Sequence, residues 1–177
     1  MRTFNQAETK IVSHAVEIAE DVTANYFKIS TAQWKNVRYD IRLLDELSAD
    51  EITESAFAQI TRYSRNPDHT VQASRHYDFF KICLQDHNMT AAVERDEPLH
   101  LFPLTVYVVT HELVHVVRFS KFLQRFDADA KERQREEARV HGITQNALGI
   151  LNLPNLAYVL RAYKNYQFME ELSTVRV

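Results

Sequence analysis

Apolar residues recur along this 177-residue chain with two different periods. Near the start, Ile11, Ala15, Ile18, Val22 and Tyr26 fall at helical spacing behind Asn5 and Glu8, an N-cap and its partner three residues on. The pattern predicts a helix over about 6–28. From Asn36 to Leu43 the period changes to two: Val37, Tyr39, Ile41 and Leu43 alternate with polar residues, as in a half-buried strand. Ser48 and Glu51 read as a capping box that opens a second helix, ending at Asn66-Pro67. Tyr77 to Leu84 reads as another strand, with Phe80, Ile82 and Leu84 on one face, and Asp86 as the cap of a short helix ending before Pro98.

The second half reads as helix throughout. One helix is expected over about 102–123, with Pro103 in its first turn, and another over about 129–149, capped by Asp129 with Glu132. Pro154 opens a last one, along which Leu156, Val159, Leu160 and Tyr163 recur. The expectation is therefore an α+β, mostly helical fold with a small sheet of two or three strands. The chain is read as one domain, 1–177, with a helix-and-sheet half (1–100) and a helical half (101–177). Strand, helix, strand in the first half is compatible with a parallel pair.

Composition narrows the chemistry. With 45% hydrophobic and 25% charged residues the chain has the makings of a globular core. The formal net charge of −3 argues against a nucleic-acid partner, which needs a concentrated positive field. Only two glycines occur, so glycine-rich phosphate loops are excluded, and the lone cysteine, Cys83, excludes an intrachain disulfide and a cysteine-based zinc site. The most apolar stretch, Leu101 to Phe119, carries His111, Glu112, His115 and Arg118, which would be costly inside lipid. It reads as a core helix, with no membrane partner. Without a continuous apolar leader, the expected location is the cytoplasm.

Those polar residues in an apolar helix are the informative ones. In His111-Glu112-Leu113-Val114-His115 the two imidazoles, four residues apart, share a helix face and suit one Zn²⁺. Glu112, one residue round the helix, is placed to take a proton from a zinc-held water. A third ligand is expected on the next helix. There Glu137 and His141 lie on a stripe with Ala130, Val140, Thr144, Leu148 and Leu151, whereas Glu136 reads as a solvated charge.

HELVH followed by EEARVH resembles the gluzincin branch of the zincin metallopeptidases, whose pattern is HExxH and then ExxxD on a following helix. The resemblance covers roughly residues 105–142. It implies a minimal zincin-like domain with one Zn²⁺ per chain. The implied ligands are His111, His115 and Glu137, with Glu112 as general base and a peptide or protein as substrate. His141 stands where the family has Asp, as a residue orienting a ligand imidazole or as an alternative ligand. Tyr158, Tyr163, Tyr166 and His100 are candidate donors to the oxyanion of such a reaction, and Phe79 to Leu84 a candidate sheet edge for an extended substrate.

Two other functions fit parts of the pattern. Glu112-x-x-His115 also satisfies the motif of carboxylate-bridged di-iron bundles, for which Glu97-Pro98-Leu99-His100 is the only other match, and a proline interrupts it. The other is a zinc-stabilised or metal-free interaction module without turnover.

Overall fold

The computed structural model describes residues 1–64, 78–164 and 173–176. Six helices and a small mixed sheet make up the α+β fold. The first helix, α1 (Gln6–Tyr26), starts at the expected capping box: Asn5 Oδ1 accepts from the amides of Ala7 and Glu8, and Glu8 accepts from the amide of Asn5. It buries Val12, Ala15, Ala19 and Val22, while Ile11 and Tyr26 stay largely exposed. One short turn, α2 (Thr31–Trp34), leads to β1 (Tyr39–Arg42).

The chain then departs from the sequence expectation. Ser48 and Glu51 do close a capping box, but the helix is a single 3₁₀ turn at Ala49–Glu51. Glu51 is buried and committed to Lys81 (2.6 Å) and Tyr63 (2.9 Å). Such tertiary partners outweigh local helix preference, and the following residues form β2 (Ala58–Ser64).

β3 (Phe79–Leu84) lies between β1 and β2, parallel to the first and antiparallel to the second. The expected parallel pair thus exists, but β2 occupies the connection where a helix was expected. β4 (Ser173–Arg176) adds a fourth strand, parallel to β2, in the order β1-β3-β2-β4. Being flanked on both sides, β3 is no sheet edge, so the candidate strand-binding edge at Phe79 to Leu84 is excluded and the segment is a core strand. Phe80, Ile82 and Leu84 instead face the core.

After β3, α3 (Asp86–Arg95) begins with Asp86 inside the helix rather than capping it. The Asp86 carboxylate accepts from the amides of Phe4 (2.9 Å) and Leu44 (3.1 Å), tying two distant segments together. The central element is α4 (Leu101–Ser120), against which α1, α3, the sheet and the two later helices α5 (Ala130–Leu148) and α6 (Leu156–Ala162) all pack. Every residue of α4 from Pro103 to Phe119 is buried, as its apolar sequence requires. It ends in a turn where the amide of Leu123 bonds to Arg118 O (2.9 Å) and that of Phe122 to Phe119 O (3.0 Å). Phe122 there adopts a φ of 55°, a left-handed conformation that glycine fills without steric cost. Among the described residues no helix is long and apolar enough to cross a membrane.

Candidate metal centre

Four aromatic rings spaced four residues apart run along one face of α4: Tyr107, His111, His115 and Phe119. Successive ring centroids lie 6.4, 5.0 and 5.9 Å apart. The 3.6-residue period brings them over one another, and Phe119 anchors the row to the sheet by stacking on Phe80 at 5.5 Å. The two histidines in the middle are 1% exposed.

α5 lies across this face. Its N-cap, Asp129, accepts from the amide of Glu132, and the helix then carries Glu137 to the histidines. Glu137 Oε1 is 2.9 Å from His111 Nε2, and Oε2 is 3.2 Å from His115 Nε2. Ligand atoms of the three residues all lie within 4.8 Å of one another, the one such group of three among the described residues. Donors about 2.0–2.1 Å from a tetrahedral ion stand about 3.3 Å apart, so the spacing fits one small divalent cation. The donor set, two imidazole nitrogens and a carboxylate, suits zinc.

Electrostatics point the same way. Burial raises the Glu137 carboxyl, but the charges and hydrogen bonds of His111 and His115 outweigh it and hold the group well below the usual carboxylate range. A buried carboxylate facing two imidazole nitrogens favours positive charge at that point, as a bound cation would supply.

One supporting contact has no signature in the sequence. His115 Nδ1 lies 3.1 Å from Gln124 Oε1, in the turn beyond α4. An amide oxygen only accepts, so Nδ1 carries a hydrogen, and Nε2 is the nitrogen turned to the cluster. Gln124 is in turn held in a polar frame. Arg118 donates from Nη2 to Leu123 O (3.3 Å) and to Glu136 Oε2 (2.6 Å), and Glu136 also pairs with Arg139. Glu136, expected on the surface, is therefore buried: the row of α4 residues facing α5 ends in Arg118, which needs a carboxylate partner.

His141 is near the cluster but bonded elsewhere. Its Nε2 donates to Lys164 O (2.7 Å), so its Nδ1 accepts from the Tyr107 hydroxyl (3.1 Å). Burial lowers its pKa, and the Lys164 carbonyl only partly offsets this, in keeping with a neutral ring. Tyr107 is fully buried; desolvation and the negative charges of Glu137 and Glu112 raise its pKa far above the ordinary phenol value. Its position one turn before His111 was the available signal for it. Glu112 is buried on α4 between the two histidines.

The remaining candidates are dispersed. Tyr163 stacks on Tyr107 at 5.8 Å and meets Phe57 edge-on at 5.6 Å. Tyr158 donates to Asp96 (2.7 and 2.8 Å). His100 is exposed at the start of α4, about 16 Å along the helix from His111. Tyr166 lies outside the described residues. Glu97 to His100, the second di-iron match, falls in the connection between α3 and α4, not on a helix. Comparison with protein-family models, curated proteins and solved structures gave no match.

Proposed function

We propose that this chain is a zinc-dependent peptidase. The observation that carries the proposal is the convergence of His111, His115 and Glu137, from two helices, into one buried cluster, with Glu112 buried next to His111 in the chain. A zinc ion held there would supply a water acidified toward neutrality and a positive centre for a peptide carbonyl.

In this reading His111, His115 and Glu137 would hold the ion, with Gln124 orienting the His115 ring. Glu112 removes a proton from the attacking water at its carboxylate and returns it to the departing amine. Its burial keeps competing water from that carboxylate. The Tyr107–His141 hydrogen bond borders the cluster, and Tyr163 backs it with a stacked ring.

The test is metal analysis joined to hydrolysis. Protein purified without added metal should contain close to one zinc per chain. His111→Ala and His115→Ala should each lose it. Glu112→Gln should keep zinc and lose peptide hydrolysis by about 10²-fold or more. Two irons per chain would instead support the carboxylate-bridged reading, and a full zinc complement with no hydrolysis of a diverse peptide library would support a non-catalytic module.

A further inference from the structure

The turn that follows α4 carries a surface that the metal reading does not explain. Phe122 is 91% exposed, Leu123 is 53% exposed, and the two are adjacent. Phe122 also occupies the left-handed position at which a helix end favours glycine. A phenylalanine there meets backbone strain and gains no burial within the chain, so the fold itself is not served by it.

The surroundings are basic. The Lys121 ammonium lies 5.5 Å over the Phe27 ring, which sets the end of α1 beside this turn. Tyr26 is 39% exposed there, and Lys28 and Arg125 are exposed as well. None of Lys28, Lys121 and Arg125 has an ion-pair partner among the described residues, although the chain as a whole is acidic. Of the acids nearest in sequence, Asp127 pairs with Arg62 and Asp129 caps α5, while Asp21 on α1 is exposed.

We propose that this turn, with the end of α1, is a docking surface for a membrane bearing anionic lipid. Phe122 and Leu123 enter the boundary between headgroups and acyl chains, while Lys28, Lys121 and Arg125 meet the lipid phosphates. Protruding apolar side chains, close in sequence to Lys121 and Arg125 and brought beside the end of α1 by the Lys121–Phe27 contact, match the two attractions of a peripheral membrane contact, apolar insertion and charge. The sequence expectation of no membrane partner rested on the lack of a spanning segment, which a surface contact does not need. Gln124 lies between Leu123 and Arg125 and bonds to His115, so docking would bring the metal cluster close to the membrane.

The experiment is co-sedimentation of the full chain with vesicles of phosphatidylcholine alone and with added phosphatidylglycerol. Binding should be selective for the anionic vesicles and weaken with salt. Phe122→Ser with Leu123→Ser, and separately Lys28→Glu, Lys121→Glu and Arg125→Glu together, should each reduce it by about tenfold or more. Phe122→Gly should weaken binding, by less than the double substitution does, while keeping or raising the Tm, because it relieves the backbone. Four outcomes would overturn the proposal: no binding to either vesicle; equal binding to both; anionic binding that survives Phe122→Ser with Leu123→Ser; or a fall in Tm for Phe122→Gly. Capture of polyglutamate with the vesicles ignored would assign the surface to an acidic protein and overturn it too. None of these readouts depends on metal or on hydrolysis.

Discussion

Gln124 and His141 are both polar neighbours of the cluster, yet they do different things. Gln124 touches a histidine of the cluster, whereas His141 joins Tyr107 to a backbone carbonyl. Gln124→Ala should therefore weaken zinc binding by about 10–100-fold in a chelator competition. His141→Ala should leave zinc affinity within a few-fold, but should destabilise the fold by about 0.5–1.5 kcal/mol by removing the Tyr107–His141 hydrogen bond. A larger loss of zinc from His141→Ala than from Gln124→Ala would reverse the assignment. Glu51 makes a separate point about acid stability. Burial raises its pKa, but Lys81, the Ser48 amide and hydroxyl, and Tyr63 together bring it down to about 2. A carboxyl depressed by folding stabilises above its ordinary value, and the contribution disappears as pH falls toward the depressed one. Wild type should thus melt above Glu51→Gln at pH 6, and the two should converge near pH 2.

At the scale of elements, the α4–α5 contact is held by charge as well as by apolar packing. Arg118 and Glu136 are both more than nine-tenths buried and bonded to each other. Removing Glu136 leaves the buried Arg118 charge unpaired, so Glu136→Gln should cost about 3–5 kcal/mol in denaturant unfolding; Arg118→Met, which leaves Glu136 paired with Arg139, should cost less, and Arg118→Met with Glu136→Leu should recover much of the Glu136→Gln loss. This pair also shows where the sequence was legible. α1, α4 and α5 were readable because caps and a 3.6-residue period agree, and His111 and His115 because two imidazoles interrupt an apolar helix. Glu137 was readable from its place on α5. The side of α5 that carries Glu136 was not, because one carboxylate in a run of charged residues looks like another until Arg118 is in place. β2 was misread as helix because the Ser48–Glu51 box is a local signal, whereas Lys81 and Tyr63 become partners only once the sheet forms. Gln124 left no trace because irregular turns have no period.

For the molecule as a whole, a metal that binds only the folded chain adds its binding energy to stability. At free zinc about 100 times the dissociation constant the gain is about 2.7 kcal/mol. For a chain of this size that is a rise in Tm of roughly 5–10 °C, reversed by chelator. His111→Ala should show no such rise. An identical zinc response in His111→Ala would place the stabilising ion elsewhere.

The enclosure of α4 has a consequence for the speed of metal exchange. Two of the three cluster residues ride on a helix with no solvent-facing side, while Glu137, at 13% side-chain exposure, is the one that touches water. An ion entering or leaving passes on the α5 side, and a wide passage needs α5 to lift from α4. Amide hydrogens of α4 should report global unfolding, and those of α5 a smaller local opening. Zinc exchange should therefore keep pace with deuterium uptake along α5 and run far ahead of uptake along α4, so that one partly detached helix times both processes.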